Sequence, residues 1–270
     1  MGLPRPDRAP AAQYHHGAIQ MTRANLPAPL SVMGVNITPF SDYAQVSQCI
    51  EGLIASEKKA FSVAINPEKI YRANREPELK SLLNHADIGI CDGIGAALAV
   101  RLLKGRSISR ITGISLFFEL VKSAAKNGWK IFLLGASPES NAGTFEKLSE
   151  NYPALDIVGR VDGYFKDSQD VIRQINDSGA VIVFVAMGSP KQELWIAENR
   201  DAINASFCMG VGGTFDVVSG KVEWAPPFFR ATGTEWLYRL VREPKRWRRQ
   251  LVLPKFAWAV LKRKFAGGEN

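Results

Sequence analysis

Three polar side chains stand in the sequence after apolar segments that have the composition of buried strands. Asn66 follows "FSVAI", Asp92 follows "DIGIC", and Gln192 comes soon after "VIVFVAM". A carboxylate can take a proton from a hydroxyl group, and amide side chains can exchange hydrogen bonds with a polar ligand. Because an unpaired buried charge costs several kcal/mol, we expect Asp92 at the lip of a crevice where strands end.

A competing interpretation of Asp92 is that it caps the helix that would start near Ile94. Capping is the commoner role of an isolated Asp-Gly pair. The presence of Asn66 and Gln192 after neighbouring strand candidates favours a site, because the carboxyl ends of parallel strands meet at one edge of a sheet.

The elements that would position these residues alternate along the chain. Strand candidates cover residues 61–65, 87–91, 130–134, 155–159, 181–187 and 206–211, and helix candidates cover residues 68–84, 94–104, 114–127, 139–151, 168–177 and 190–203. This alternation of apolar strands and helices predicts an α/β fold with a mostly parallel sheet flanked by helices. The predicted domains are a Pro-rich flexible leader (1–28), an α/β body (29–228) and a basic, helical C-terminal appendage (229–270).

Several of the predicted strands finish in glycine. These residues are Gly93, Gly135, Gly188, Gly210, Gly212 and Gly213. Glycine lets the backbone approach a ligand closely, and the helix N-termini that follow direct partial positive charge at phosphate groups. The pattern therefore predicts a ligand at the carboxyl edge of the sheet.

Several chemistries are disfavoured by missing patterns. There is no GxxxxGK[ST] segment, and "GVGGTFD" (210–216) is not a GxGxxG dinucleotide motif. There is no Asp-x-Asp pair, and two of the three histidines, His15 and His16, fall in the predicted leader. We therefore expect no bound metal and no cofactor.

The three cysteines are widely spaced in apolar sequence, which indicates a reducing compartment and no disulfide framework. No cleavable leader and no apolar run long enough to cross a bilayer is present in the sequence. The prediction is a cytoplasmic protein.

The net charge of +8 is concentrated at the end of the chain. Residues 221–270 hold 12 Lys and Arg against 4 Asp and Glu, whereas residues 1–220 hold 22 of each. Aromatic residues such as Trp236, Trp247 and Trp258 are interleaved with these cations. Such a mixture is typical of protein segments that bind an anionic membrane surface, and we expect such a surface as the partner. Nucleic acid would use the same charges, but no nucleic-acid-binding module is recognisable.

Eight segments, in order, resemble the WecG/TagA/CpsF family of bacterial glycosyltransferases. They are "INPEK" (65–69), "ADIGICDGIG" (86–95), "RITG" (110–113), "FLLGASPES" (132–140), "YPALDIVGRVDGYF" (152–165), "GSPKQELWIAENR" (188–200), "GVGGTFDVVSGKVEWAPPF" (210–228) and "GTEWLYRLVREPKRWRRQLVLPKF" (233–256). The resemblance implies a Rossmann-like body and an inverting, metal-independent transfer. It implies a UDP-sugar donor and an undecaprenyl-diphosphate-linked sugar acceptor in the biosynthesis of a surface polymer. The enzyme would be peripherally associated with the inner face of the cytoplasmic membrane.

The resemblance also implies roles for residues of the predicted crevice. Asp92 would be the general base, and Arg110 would face the diphosphate or the acceptor. Asn66 and Gln192 would line the sugar pocket, and Lys191 is a further cation for the substrate. A metal-free reaction needs such cations, because the leaving UDP develops negative charge.

The nucleotide would lie against the glycine-rich strand ends. The candidates are Gly135, Gly188, Gly212, Gly213 and Asp216, whose carboxylate could accept hydrogen bonds from ribose hydroxyls. A tight turn with a capping aspartate is the competing interpretation of Asp216. For the acceptor diphosphate, the candidates are the tail residues Arg239, Arg242, Arg248 and Arg249, since guanidinium groups bind such groups bidentately.

One residue departs from the family pattern. Two residues before the "NPE" asparagine the family commonly has threonine, whereas this sequence has Ala64. A methyl group cannot replace a hydroxyl that holds a polar substituent. The donor sugar therefore stays open between an N-acetylmannosamine type, glucose and a uronic acid.

Two other functions remain compatible with the sequence. One is a non-catalytic protein that binds a nucleotide sugar or nucleic acid at the membrane surface, and the other is a metal-free nucleotide enzyme with a soluble acceptor. Self-association as a homo-oligomer is a further expectation, since a movable tail would uncover apolar surface.

Overall fold

The computed structural model describes residues 26–56 and 58–266, except the side chains of Arg246 and Arg249. Most of the predicted leader, with His15 and His16, therefore lies outside the described residues. The strands are β1 (Leu30–Val32), β2 (Val35–Ile37), β3 (Ala60–Ile65), β4 (Ile88–Cys91), β5 (Ile131–Gly135), β6 (Ile157–Val161), β7 (Ile182–Ala186) and β8 (Phe207–Gly210).

The helices follow the strands in alternation for most of the chain. They are α1 (Tyr43–Ala55), α2 (Pro67–Ala73), α3 (Pro77–His85), α4 (Ile94–Lys104), α5 (Gly113–Asn127), α6 (Pro138–Asn151), α7 (Ser168–Ser178), α8 (Lys191–Asn199), α9 (Thr214–Val218), α10 (Pro227–Thr232), α11 (Glu235–Arg242), α12 (Trp247–Gln250) and α13 (Val252–Phe265). A short 3-10 helix covers Pro244–Arg246. No helix of the described ranges has the length and apolar character needed to cross a membrane.

Six strands form a parallel sheet in the order β4-β3-β8-β7-β5-β6. Every residue of β5, β7 and β8 is buried, which is the pattern expected when helices cover both faces of a parallel sheet. The predicted α/β, Rossmann-like fold with a mostly parallel sheet is confirmed.

The chain divides into two compact units. The first contains Ala44–Phe61 and Ile114–Val222. Its strands β5, β7 and β8 carry a continuous apolar core in which Phe117 packs edge-on against Phe184, with ring centroids 4.6 Å apart. Helix α6 packs against α9 within the same unit.

The second unit contains Pro27–Tyr43, Ser62–Gly113 and Glu223–Asn270. Here β1 and β2 form an antiparallel pair, and β3 pairs with β4 in parallel from Ser62 opposite Ile88 to Ile65 opposite Cys91. Helix α13 packs against α2 and α4. The described residues of the predicted appendage thus belong to this unit. The predicted division into leader, body and separate appendage stays a prediction.

The prediction of one helix over residues 68–84 is wrong. The structure has two helices there, α2 and α3, because Pro77 cannot continue a helix but fits its first turn. The hairpin of β1 and β2 and the helix α1 were not among the predicted elements. The strands β1 and β2 are only three residues long, which is too short for a clear alternation of apolar and polar residues.

Candidate active site

Asp92 is the first residue after β4. Its backbone N–H donates to the carbonyl of Ile65 at 2.8 Å, which continues the pairing with β3 for one more residue. Gly93, with φ of 101°, then turns the chain into α4. Gly93 is the N-cap of that helix and no side chain caps it, so the structure does not support the capping interpretation of Asp92.

Asp92 is a half-buried residue, and its carboxyl is surrounded by charged groups. Burial, with the negative charge of Glu235 as a second cause, raises its pKa from 3.8 to about 6. The positive charges of Lys69, Arg239 and Arg110 oppose this increase. The carboxyl is therefore mostly ionised at neutral pH, yet it is a stronger base than an ordinary aspartate.

Arg110 is held beside this carboxyl by the loop that precedes α5. The N–H of Ile111 donates to the carbonyl of Cys91 at 2.9 Å, so the loop runs along the end of β4. Arg110 Nη1 donates to Glu235 Oε2 at 2.7 Å, and Nη2 donates to the backbone carbonyl of Arg230. In this structure the guanidinium is thus occupied by a carboxylate of the C-terminal region.

Asn66 lies at the equivalent position after β3 and caps α2. Its Oδ1 accepts the N–H of Lys69 at 2.9 Å, and Pro67 occupies the first helical position. The cap uses the carbonyl oxygen of the side chain, so the Nδ2 amino group is the part suited to donate to a ligand hydroxyl. Its predicted role in sugar binding stays a prediction.

In the first unit, Gln192 is buried within α8 and bonded at both ends of its amide. Its Oε1 accepts the N–H of Gly212 at 2.9 Å, and its Nε2 donates to Glu193 Oε1 at 3.0 Å. A Cβ atom on Gly210 would approach Gln192 Nε2 to 2.6 Å. Gln192 therefore fixes the loop that follows β8.

The predicted nucleotide-binding glycines differ in what requires them to be glycine. Gly135 has φ of 107°, and a Cβ there would lie 2.5 Å from the carbonyl oxygen of Ala186. Gly188 and Gly212 also have positive φ, but an added Cβ would meet no atom within 4 Å. Gly213 is the N-cap of α9. The backbone is therefore open at Gly188 and Gly212, as close approach of a ligand needs.

Asp216 and Lys191 also belong to the first unit. Asp216 Oδ1 accepts a hydrogen bond from Ser140 Oγ at 2.7 Å, which joins α9 to the first turn of α6. Lys191 is exposed at the start of α8, with its Nζ 6.0 Å from the ring centroid of Phe165. Their predicted roles with nucleotide and substrate stay predictions.

The four arginines predicted for the acceptor diphosphate differ in their surroundings. The positive charge of Arg239 lowers the pKa of Asp92. Arg242 pairs with Glu223 at 3.1 Å on the surface, and Arg248 lies 5.6 Å from the ring centroid of Trp247. The side chain of Arg249 lies outside the described residues.

In the second unit the structure brings Asp92, Arg110 and Arg239 into one electrostatic cluster. Two further members of this cluster, Lys69 and Glu235, were missed by the sequence reasoning. Lys69 stands in the quoted segment "INPEK", and its burial is the unusual feature. Glu235 opens a helix that is 143 residues after Asp92 in the chain, so no local pattern connects them.

Among the described side chains, no three His, Cys, Asp or Glu are grouped so that they could hold a metal ion. The three cysteines are buried and free of disulfides, and burial raises the pKa of the thiols of Cys91 and Cys208 to about 12.

Comparison with known proteins gives a consistent result. Residues 30–270 match the model of the glycosyl transferase WecG/TagA/CpsF family. A protein of Bacillus spizizenii is 39% identical over 212 residues, which are 78% of this chain and 82% of that protein. A protein of Bacillus subtilis is 37% identical over 230 residues, which are 84% of this chain and 87% of that protein. Both are named N-acetylglucosaminyldiphosphoundecaprenol N-acetyl-beta-D-mannosaminyltransferase.

Proposed function

The chain belongs to the WecG/TagA/CpsF family of glycosyltransferases, and on that premise we propose that it transfers a sugar from a UDP-sugar to a sugar linked to undecaprenyl diphosphate. The transfer inverts the anomeric centre and needs no metal ion. Its product is an intermediate of a cell-envelope polymer of the exopolysaccharide, capsule or teichoic-acid type.

The observation that carries the proposal is the Asp92 carboxyl at the carboxyl end of β4, among charged side chains. A pKa of about 6 suits a general base at neutral pH, since the group is ionised and still accepts a proton readily. Asp92 takes the proton of an acceptor hydroxyl as the hydroxyl oxygen attacks the anomeric carbon opposite the nucleotide. The bond from that carbon to the UDP oxygen breaks, and UDP leaves with the bonding electrons.

The negative charge of the diphosphate groups requires cations or backbone N–H groups, which the chain supplies without a metal. In the second unit, Arg110 and Arg239 are held near Asp92, and Arg242, Arg248 and Arg249 follow on the same tail. We assign this group to the acceptor diphosphate. Binding would replace the carboxylate of Glu235 on Arg110 by a phosphate oxygen.

The donor residues are assigned separately within each unit. Asn66 can donate through Nδ2, and Gln192 holds the loop at Gly212. The UDP group is assigned to Gly135, Gly188, Gly212, Gly213 and Asp216, with Lys191 as a nearby cation. The open backbone at Gly188 and Gly212 and the position of Gly135 at the end of β5 support this assignment.

An N-acetylmannosamine-type donor is the first choice, because both curated relatives are named for that sugar. Ala64 is the reason to test others. It is partly exposed near the end of β3, and its methyl group offers no hydrogen bond where the family commonly has a hydroxyl. UDP-glucose and a UDP-uronic acid are the alternatives.

We assign the protein to the cytoplasmic face of the membrane, where it associates peripherally through its C-terminal region. This region exposes Trp247, Trp258 and Phe265 beside many cations. Aromatic and basic side chains together bind the headgroup region of anionic bilayers.

The test is a donor screen with purified full-length protein, a polyprenyl-diphosphate-linked N-acetylglucosamine acceptor and detection of released UDP. We expect release with one donor only, an inverted product by NMR, and unchanged rates with a chelator. Binding of UDP-sugar without transfer from any donor would favour the non-catalytic binding protein. Equal transfer to a free soluble sugar would favour an enzyme with a soluble acceptor.

A further inference from the structure

Helix α4 exposes a row of large apolar side chains. Ile94, Leu98 and Leu102 are spaced four residues apart and are 41%, 49% and 41% exposed. The helix already buries its other face, since it packs against α13 and β1. The exposed row is therefore a second apolar face of α4, which the second unit covers only in part, by Gly233 against Ile94.

The charged residues of α4 and of the segment that follows it are all positive. Residues 93–118 contain four Lys and Arg and no Asp or Glu. Arg101 and Arg106 are exposed at the C-terminal end of the row. An apolar row with exposed arginines at its C-terminal end is complementary to an anionic surface that also has an apolar interior, which describes a bilayer containing acidic lipids.

The same pattern recurs on α13, which packs against α4 in the same unit. Trp258 and Phe265, 71% and 85% exposed, stand seven residues apart on that helix. Lys255 and Lys262 are exposed beside them, and the helix has no acidic residue. Two neighbouring helices thus present exposed apolar side chains with cations only, which favours one extended surface over a small protein partner.

The first unit lacks this pattern. Of the fifteen large apolar side chains that are exposed in the described ranges, twelve belong to the second unit. The three others are Phe145, Tyr164 and Leu194, which lie on different elements. The apolar row of α4 is therefore not a general property of the surface.

We propose that α4 is itself a membrane-contacting helix, in which Ile94, Leu98 and Leu102 enter the boundary between headgroups and acyl chains while Arg101 and Arg106 bind lipid phosphates. The functional role given to this contact rests on the proposed function. Because α4 begins two residues after Asp92, docking of the helix would hold the general base at the level of the headgroups, where the diphosphate of a lipid-linked acceptor lies.

The experiment is flotation of the full-length protein with vesicles of phosphatidylethanolamine and phosphatidylglycerol. The double variant Leu98→Glu with Leu102→Glu should lower the partition coefficient by at least about tenfold, because two buried apolar contacts are lost and two like charges face the lipid. Leu194→Glu on α8, where the leucine is 43% exposed, is the matched control and should leave flotation unchanged.

A gain-of-binding variant keeps the test independent of folding. Leu98→Trp should increase the partition coefficient several-fold, since Trp prefers the interface, and a misfolded protein would not give this result together with an unchanged circular dichroism spectrum. Unchanged flotation of both α4 variants would overturn the inference. So would a loss of self-association in solution without a loss of vesicle binding, because the row would then be a contact between copies of the chain.

Activity on a water-soluble, short-chain acceptor separates this inference from the proposed function. The double variant should retain at least about half of that activity, because the row does not touch the reacting groups. A complete loss with the fold intact would assign the row to substrate binding and overturn the membrane role. Failure of the wild-type protein to transfer any sugar would refute the proposed function and leave the flotation result as it stands.

Discussion

The carboxyl ends of β4 and β8 are surrounded by side chains of different chemistry. After β4, in the second unit, Asp92 is surrounded by ionisable side chains, and its pKa is raised to about 6. After β8, in the first unit, the loop at Gly212 is held by the neutral amide of Gln192. The comparison shows that the residues after β4 set the proton affinity of Asp92, whereas those after β8 fix the conformation of the loop at Gly212. Substitutions at β4 should therefore act first on rates and on pH dependence, including the pH dependence of stability, and substitutions at β8 should act on stability at any pH.

The largest effect is expected for Asp92→Asn. Turnover should decrease by about 10²- to 10⁴-fold, the usual contribution of a general base, while UDP-sugar affinity stays within about twofold. Steady-state kinetics and calorimetric titration measure the two quantities. Normal turnover of this variant would remove Asp92 from the role of base.

The same variant should also be more stable at neutral pH. The folded-state pKa is raised from 3.8 to about 6, so ionisation of Asp92 opposes folding, and the destabilisation develops as pH rises through this interval. Asparagine should raise the free energy of unfolding by about 1–2 kcal/mol near pH 8, after allowance for partial exposure, and by nothing near pH 3. Denaturant titration at both pH values checks the sign.

At the β8 end, Gln192→Leu should act on stability. The N–H of Gly212 loses its acceptor, which costs about 1–3 kcal/mol in the free energy of unfolding. The adjacent exposed Lys191→Met is the control for stability and should stay within about 0.5 kcal/mol. If Gln192→Leu unfolds at the wild-type denaturant concentration, the amide does not hold the loop.

A smaller effect is expected for Glu235→Gln. In the wild type, kcat/KM should fall below about pH 6, where Asp92 becomes protonated. Removal of the Glu235 charge lowers the pKa of Asp92, so the acidic limb of the plot of kcat/KM against pH should move to lower pH. The value of kcat/KM near pH 5 should rise about two- to fivefold. An acidic limb that stays in place would show that Glu235 does not act on the base.

The smallest shift of the pH profile is expected for Arg239→Gln. Loss of this positive charge raises the pKa of Asp92, so the acidic limb of the kcat/KM profile should move to higher pH, with a reduction near pH 6 of about twofold relative to the plateau. Loss of its assigned contact with the acceptor diphosphate should lower kcat/KM at every pH, so the position of the limb is the readout. Arg242→Gln is the matched control for the position of the limb, because Arg242 is assigned to the same diphosphate but is not among the charges that act on Asp92, and it pairs with Glu223 on the surface. Equal shifts in both variants would mean that the tail acts only through its total charge.

Much of the fold could be predicted because the strands are continuously apolar. Each of the six strands of the parallel sheet coincides with its predicted segment to within two residues at either end, and Asp92 does follow β4. The helix prediction failed where a proline stood inside an apparently continuous helical pattern, at Pro77. A local sequence pattern predicts a strand well where the strand is buried on both faces, because every position must then be apolar.

The candidate site was only partly predictable. Asp92 and Arg110 could be chosen from motifs, but the contact of Arg110 with Glu235 joins residues 125 positions apart. Gln192 could be chosen as a polar residue after a strand, whereas its two hydrogen bonds could not. Residue type indicates what a side chain can do, and the partner that occupies it depends on the packing of distant segments.

The sequence by itself determined the class of fold and the family, because these depend on local apolar runs and short ordered motifs, and it selected Asp92 as the predicted base. Only the tertiary structure decided the proton affinity of that carboxylate, the carboxylate that occupies Arg110, and which apolar side chains of α4 stay exposed. These properties arise from charges and surfaces that distant parts of the chain bring together. A sequence pattern of nearest neighbours does not contain them.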